Sequence, residues 1–162
     1  RGIKKPKVAL LNIGTEEKKG NEVHQETYQL LKENDKIHFV GNIEGRDILN
    51  GDVDVIVTDG FSGNIALKSI EGTAMILMKC IKESMMSSTK GKLGALLAKD
   101  SLYALKDKFD YKSVGGALMV GFEKAVVKAH GASDAKAFEN AMELALKMVE
   151  QDVVFKMKEG LK

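Results

Sequence analysis

Val55-Ile-Val-Thr-Asp-Gly-Phe-Ser-Gly-Asn64 changes from an apolar run to a polar, glycine-rich segment. The apolar part, extended to 53–58, predicts a buried strand, because short apolar runs bounded by turn residues are typical of sheet cores. From Ile65 to about Met86 the apolar residues recur at helical spacing and predict a long helix. The stretch therefore predicts a strand, a turn and a helix in succession.

Two earlier apolar runs, at 8–11 and 37–40, end in similar polar segments. A helical pattern at 21–34 separates them, and a short helix or turn at 46–49 precedes the third strand. Strands that alternate with helices indicate a parallel sheet covered on both faces. We therefore predict an α/β fold, a three-layer α/β/α arrangement with a mainly parallel sheet, formed as a single unit over residues 1–162.

The second half of the chain is predicted to be mainly helical, with a helical hairpin over 75–109. Ser133 is expected to cap the last helix with its hydroxyl. The predicted elements of this half are a break at 87–91, a helix at about 93–109, a loop at 111–116, two short strands within 117–128, a turn at 130–133 and a helix from 134 to about 158.

Composition argues against several classes of function. The 25 basic and 23 acidic residues nearly balance, Trp is absent and aromatics are 6%, which disfavours nucleic-acid binding. Cys80 is the single cysteine, so no internal disulfide is expected, and His24 and His38 lack the spacing of metal ligands. No apolar run approaches the roughly 18 residues of a membrane span. Since no signal peptide is recognised either, we expect a cytoplasmic location.

The three predicted strands each end in a polar segment that contains glycine. Because the carboxyl ends of parallel strands meet at one edge of a sheet, these segments could build one binding site. Alternatively, their glycines and asparagines make only tight turns. The candidate binding residues are Asn12, Gly14, Thr15, Lys19 and Asn21 in the first segment, Asn42 and Arg46 in the second, and Asp59, Gly60, Ser62, Gly63 and Asn64 in the third.

The third segment suggests an anion site. Gly60, Gly63 and Asn64 directly precede the predicted long helix, whose first backbone N–H groups and dipole favour a bound anion. Lys68, one turn further on, could add a positive charge. Alternatively, Ser62 or Asn64 is an ordinary N-cap and Lys68 is solvated. Neither G-x-G-x-x-G nor G-x-x-x-x-G-K-[ST] occurs, so the pattern does not indicate NAD or ATP.

His130 lies in a predicted turn close to Ser133 and Asp134. Imidazole changes its charge near neutral pH, which makes this residue a candidate proton donor or carbonyl-polarising group. The alternative is a histidine that simply bonds to the backbone of the turn.

The predicted hairpin over 75–109 combines methionines and leucines with lysines. Three interpretations remain open. The apolar residues form a core or a dimer seam, or they form an amphipathic tip that faces lipid. In the third interpretation they line a groove for an acyl chain or a protein partner.

As a set, the strand-end segments resemble the bacterial phosphate acyltransferase (PlsX) family of phospholipid synthesis. The resemblance extends over nearly the whole chain and follows the family's order. It rests on Leu10–Asn21, Phe39–Asp47, Val55–Asn64 with Leu67-Lys68 and Glu71-Gly72, Gly115–Ala117 and Val127–Asp134.

The resemblance implies a reaction in which inorganic phosphate attacks the thioester of an acyl-acyl carrier protein and gives acyl phosphate. It also implies a fold like that of isocitrate dehydrogenase and phosphotransacetylase, a cleft between two lobes and no redox cofactor. A homodimer in peripheral contact with the membrane is expected, and acidic carrier protein is the expected partner of the lysines near 79–112. Such families are about twice this length, so the chain corresponds to the carboxyl-terminal half. Leu118 departs from the family pattern, which expects a small residue or Pro there.

Catalytic roles follow from the resemblance as expectations. Phosphate is expected near Gly60–Asn64 and Thr15, with Arg46 or Lys68 as its charge partner, and Asn64 and Lys68 are placed among the catalytic residues. His130 is expected to protonate the thiol or polarise the carbonyl. The alternatives are a phosphotransacetylase-like enzyme that uses acyl-coenzyme A, and a non-catalytic module for dimerisation or membrane docking.

Overall fold

A computed structural model of the protein describes residues 2–108, 115–131 and 133–160. The α/β class predicted from the sequence is confirmed, with a parallel sheet flanked by helices as in three-layer α/β/α folds. The chain divides into two compact units, Arg1–Gly72 and Thr73–Lys162. No helix within the described ranges is long and apolar enough to cross a membrane.

The first unit is built on a three-stranded parallel sheet. Its elements are β1 (Lys7–Asn12), α1 (Glu22–Glu33), β2 (His38–Glu44), a 3-10 turn (Gly45–Asp47), β3 (Val55–Val57) and the start of α2 (Gly60–Met86). The strand order is β2-β1-β3. Because β1 is central, Val8, Ala9 and Leu10 are buried and form the core with Ile43.

A bulge in β2 corrects one prediction. The sequence placed the end of this strand at Gly41-Asn42, but β2 continues to Glu44. Its register with β1 shifts by one residue between Val8↔Phe39 and Leu10↔Asn42. Gly41, at φ +100°, supplies the left-handed backbone at this point. The glycine therefore marks an extra residue within the strand and not its end.

The helix α1 covers part of this sheet. It contacts β1 and β2, and the Tyr28 ring meets the Phe39 ring edge to face at a centroid distance of 5.0 Å. Asn21 caps the helix, because its side-chain oxygen accepts the backbone N–H of His24 at 3.1 Å. The predicted helix at 21–34 is thus confirmed, with Asn21 as the cap.

The start of α2 also differs from the prediction. The helix begins at Gly60 and not at Ile65, so the glycines expected before the helix lie within it. Asp59, not Ser62 or Asn64, is the N-cap: its Oδ1 accepts the backbone N–H of Phe61 at 2.9 Å and that of Ser62 at 2.8 Å. The helix dipole favours a carboxylate at the N-terminus. Asp59 therefore stabilises a helix that begins at Gly60, the residue that follows it.

Within its described residues, the second unit contains the end of α2, four further helices and one antiparallel pair of short strands. Its remaining elements are α3 (Thr89–Leu97), α4 (Lys99–Lys108), β4 (Gly116–Leu118), β5 (Val127–Ala129), α5 (Ala135–Glu150) and α6 (Val153–Gly160). β4 and β5 pair antiparallel and contact α5. Gly115 approaches α5 so closely that an added Cβ would lie 2.5 Å from the Asn140 carbonyl carbon.

Helix boundaries in this unit correct the remaining predictions. The helix predicted at 93–109 is two helices that meet at Ala98, and the first begins at Thr89 because Ser88 caps it. Asp134, not Ser133, caps α5, and the last helix is interrupted at Gln151 and Asp152 before α6. The two short strands predicted within 117–128 are confirmed at slightly different bounds, 116–118 and 127–129. Most of the loop predicted at 111–116, and residue 109, lie outside the described residues.

Candidate functional site

Asn12 is the structural centre of the sheet edge at the carboxyl end of β1. Asn12 is 8% exposed, and its side chain donates both amide protons. Nδ2 donates to the Lys19 carbonyl at 3.0 Å and to Asn42 Oδ1 at 3.2 Å, and Oδ1 accepts the Ile13 N–H at 2.9 Å. Since both amide protons are used, Asn12 holds the loop in place and has no proton left for a ligand.

The loop 13–20 is tied to the sheet and to α1. Asn42, placed beside Asn12 by the bulge, donates to the Glu16 carbonyl at 2.8 Å. Glu17 pairs with Lys32 of α1 at 3.1 Å. Hydrogen bonds from Gln29 and then Lys32 hold the pKa of the Glu17 carboxyl below its usual value. These contacts give a long polar loop a defined path, as a binding loop requires.

Gly20 ends this loop at φ +86°. A Cβ built here would lie 2.8 Å from Asn12 Oδ1 and 2.6 Å from the Cβ of His24. Only glycine combines this backbone conformation with such a close approach. Gly20 therefore packs the end of the loop closely against the Asn12 side-chain amide and against His24 in the first turn of α1.

His24 was set aside in the sequence analysis because it lacks metal-ligand spacing, but the structure places it at the site. Its Nδ1 lies 2.7 Å from Asn21 Oδ1, which also accepts the backbone N–H of His24. One sequence signal could have identified His24. It lies three residues after Asn21, the N-cap of the helix that follows the first strand and its loop.

Arg46 is 77% exposed and belongs to the 3-10 turn after β2. Its Nη2 donates to Glu44 Oε2 at 2.5 Å, and its Nε lies 3.7 Å from Asp47 Oδ2. Two carboxylates thus hold the guanidinium at the edge, while a guanidinium has five N–H donors in all. Donors therefore remain for an anion at this arginine.

Asp59 occupies part of the expected anion cradle. Its carboxylate accepts two of the backbone N–H groups at the start of α2. The Ser62 hydroxyl and backbone N–H, followed by the Phe61 N–H, lower the pKa of the Asp59 carboxyl, and His24 adds to this effect. In this structure the helix dipole already acts on the protein's own negative charge, which would repel a phosphate.

A cavity of about 660 Å³ opens at this edge. It brings together the ends of β1 and β2, the first turns of α1 and α2 and the end of the loop. Its lining is Leu11, Asn12, Ile13, Gly20, Asn21, His24, Glu44, Gly45, Arg46 and Ser62.

The lining contains four of the predicted binding residues, Asn12, Asn21, Arg46 and Ser62. The other predicted residues lie outside it: Gly14, Thr15, Lys19, Asn42, Asp59, Gly60, Gly63, Asn64 and Lys68. Lys68 pairs with Glu71 at 2.6 Å, and Lys19 pairs with Glu16 at 3.6 Å. Within the described residues, no three or more His, Cys, Asp or Glu side chains are grouped as a metal site would require.

His130 belongs to the second unit, whereas the cavity is lined by residues of the first. The predicted turn is present, because the Ser133 N–H donates to the His130 carbonyl at 3.0 Å. The side chain is partly buried. Its catalytic role remains a prediction.

The second unit has a groove of about 500 Å³ in the predicted hairpin region. The end of α2, α3 and α4 form it from apolar and lysine side chains. The lining is Met78, Lys79, Ile81, Lys82, Met85, Met86, Ala95, Lys99, Leu102 and Tyr103.

The sequence matches known proteins over almost its full length. Residues 1–156 match the family model described as "Fatty acid synthesis protein". The chain is 54% identical over 153 residues to the "Phosphate acyltransferase" of Lysinibacillus sphaericus, covering 94% of this chain and 46% of the relative. It is 52% identical over 155 residues to that of Streptococcus agalactiae, covering 95% and 47%. With the Geobacillus protein the identity is 48% over 161 residues, covering 99% and 49%.

The chain spans about half the length of the curated relatives it matches, and it corresponds to their carboxyl-terminal half. The matched region includes the loop, the bulged strand and the capped helix that form the cavity. The resemblance noted from the strand-end segments is confirmed: this chain belongs to the fatty acid synthesis protein family, together with proteins named phosphate acyltransferase.

Proposed function

We propose that the protein containing this chain is a phosphate acyltransferase that converts acyl-acyl carrier protein and inorganic phosphate to acyl phosphate and free carrier. The names of the relatives support the reaction type. Acyl phosphate would then feed the synthesis of phosphatidic acid. A cytoplasmic location follows from this substrate.

The observation that carries the proposal is the cavity at the sheet edge. Its lining includes one guanidinium and one imidazole, and it ends at the N-terminal turns of two helices. The guanidinium suits an oxyanion, since it binds phosphate with paired donors. The start of α2 contributes less, because its first N–H groups are already bonded to Asp59. Arg46 is the main proposed phosphate contact. Ser62 is a second proposed contact, for which its hydroxyl would have to turn from Asp59 to the phosphate.

The reaction needs no nucleophile from the enzyme. A phosphate oxygen attacks the thioester carbonyl carbon, the C–O bond forms, the C–S bond breaks and the leaving thiolate takes a proton. Binding and orientation of phosphate, with stabilisation of the developing oxyanion, would supply most of the acceleration. His130 is the proposed proton donor or carbonyl-polarising group, and Lys68 and Asn64 are proposed to act near the phosphate.

Phosphate-dependent loss of thioester from an acyl-acyl carrier protein tests this function, with hydroxylamine to trap acyl phosphate. The assay compares this chain alone, this chain co-expressed with the amino-terminal half of the Lysinibacillus sphaericus relative, and that relative at full length as the positive control. We expect turnover in the second and third samples. An inactive second sample that contains a stable complex of the two halves would contradict the proposal.

The same assay separates the alternatives. A preference for acyl-coenzyme A over the acylated carrier would favour a phosphotransacetylase-like enzyme. Replacing His130 with Ala and finding undiminished turnover would remove it from the mechanism. Dimerisation and vesicle binding without turnover would favour a non-catalytic module.

For the hairpin region we propose contact with the membrane surface and with the carrier. In α3, Leu93, Leu96 and Leu97 are exposed. Lys90 and Lys92 precede them in the same helix, and Lys99 begins α4; all three lysines are exposed. Exposed leucines beside lysines suit an anionic lipid surface, and the lysines suit an acidic carrier. Binding to anionic but not neutral vesicles is expected, and the Michaelis constant for the carrier should rise with salt. A homodimer through the methionine-lined groove is the third proposed contact, to be tested by sedimentation.

A further inference from the structure

The hydrogen bonds of His24 define which ring nitrogen is available to a ligand. Asn21 Oδ1 accepts the backbone N–H of His24, which identifies this atom as the oxygen. Because an amide oxygen can only accept, the 2.7 Å contact between Asn21 Oδ1 and His24 Nδ1 favours the tautomer with the proton on Nδ1. Nε2 is therefore the ring nitrogen that is left to contact a ligand.

Packing holds the His24 ring at the cavity. The side chain is partly buried, and the absent Cβ of Gly20 leaves the space that the His24 side chain fills. A ring that is fixed by a hydrogen bond on one nitrogen and by a close backbone on one side loses little freedom when it binds a ligand.

The charged groups that face His24 come from two other segments. Glu44 and Arg46 share the cavity lining with it at the end of β2. Asp59, the cap of α2, lies near enough for the His24 charge to lower its pKa. Glu44 is already paired with Arg46. An anion in the cavity would therefore meet the Arg46 guanidinium, the His24 ring and a Glu44 carboxylate whose charge Arg46 partly neutralises.

We propose that His24, in its protonated form, is a second cationic contact for the phosphate beside Arg46, so that anion affinity rises as the pH falls from 8 to 5.5. This inference rests on the proposed function of the cavity and adds a pH dependence to it. Imidazole is the side chain that changes charge in this range. Its Nε2–H would donate to a phosphate oxygen, while the neutral ring offers a lone pair that opposes the same contact.

The test measures binding of sulfate and of phosphate to the intact chain by calorimetry between pH 5.5 and 8.0. Sulfate stays dianionic over this range, so its pH dependence reports on the protein, whereas phosphate itself titrates. We expect sulfate to bind about tenfold more tightly at pH 5.5 than at pH 8.0, as one added charge a few ångströms away would give at a partly exposed site.

Three variants make the test specific. His24→Gln should bind sulfate with little dependence on pH, and His24→Lys should bind it tightly at both ends of the range. His38→Gln is the matched control, because His38 lies at the start of β2 and outside the cavity lining. It should retain the dependence of the unmodified chain. Circular dichroism at each pH confirms that each variant is folded.

The outcomes separate this inference from the proposed function. Anion binding that keeps its pH dependence in His24→Gln would overturn the role of His24 and leave the cavity as a phosphate site. Failure of the unmodified chain to bind sulfate or phosphate at any pH would overturn both. Loss of the dependence in His24→Gln, with its retention in His38→Gln, would support the inference.

Discussion

Replacing Gly20 with Ala tests the close packing of the loop against the Asn12 side-chain amide and the first turn of α1. Gly20 has φ +86°, and a residue other than glycine with such a backbone costs about 1–2 kcal/mol. The added Cβ would also lie 2.6 Å from the Cβ of His24 and 2.8 Å from Asn12 Oδ1. Overpacking of this kind costs about 1–3 kcal/mol.

The sum predicts that Gly20→Ala lowers the free energy of unfolding by about 2–5 kcal/mol, a large share of the 5–15 kcal/mol typical of a domain. Urea denaturation followed by circular dichroism measures this loss. Because the substitution also displaces Asn12 and His24, sulfate binding in the cavity should weaken as well.

Two other glycines separate the contributions. Gly51 has φ +79° but nothing within 4 Å of an added Cβ, so Gly51→Ala measures the backbone cost alone. Gly45 has neither constraint, and Gly45→Ala should change stability little. If Gly20→Ala costs no more than Gly51→Ala, the close packing of Gly20 against the amide and the histidine is refuted.

Four further predictions concern the site and the fold. Asn12→Ala leaves the Lys19 carbonyl without its side-chain donor and should cost about 1–3 kcal/mol in urea denaturation; an unchanged midpoint would contradict its anchoring role. Asp59→Asn keeps a capping side chain and should strengthen phosphate binding, measured by calorimetry, since a repelling charge is removed; weaker binding would contradict this repulsion. The pKa of Asp59 is lower in the folded state than in the unfolded state. Its contribution to stability is therefore present above the pKa of the unfolded state and is lost as the pH falls through the pKa of the folded state. Asp59→Asn should make the free energy of unfolding less dependent on pH below about pH 4. Arg46→Lys should weaken phosphate binding about tenfold, because an ammonium cannot offer paired donors; equal affinity would exclude a bidentate contact. Gly115→Ala, with φ +83° and a Cβ 2.5 Å from the α5 backbone, should unfold β4, β5 and α5, seen as faster hydrogen exchange there; unchanged exchange would refute the close approach.

Local patterns were sufficient for most of the secondary structure. Three predicted elements correspond to observed ones: the apolar runs at 8–11 and 37–40 and the helix at 21–34. They could be predicted because the spacing of apolar residues and the capping of helices depend on residues close together in the sequence. Helix ends were less predictable. Asp59 and Asp134 cap helices that the sequence assigned to neighbouring serines or asparagine, since several capping residues stand side by side and packing selects among them.

The candidate site was predicted only in part. The polar strand ends predicted a site at this edge, and Asn12, Asn21, Arg46 and Ser62 line a cavity there. Their roles in binding stay predictions. The sequence predicted that the first N–H groups of α2 would bind an anion, but Asp59 accepts some of them. A helix cap and an anion site use the same donors, so the sequence pattern did not distinguish the two. His24 was missed, since its place in the cavity comes from its neighbours in space and not from any motif.

The sequence by itself determined the α/β class, the strands that end in polar segments and the family, because these depend on composition, periodicity and residue order. The tertiary structure alone decided the bulge at Gly41, which adds one residue to β2 and places Asn42 beside Asn12. Side chains alternate between the faces of a strand, so a shift of one residue in register changes which of them reach the edge. That shift depends on pairing with a strand some thirty residues away, and no local pattern records it.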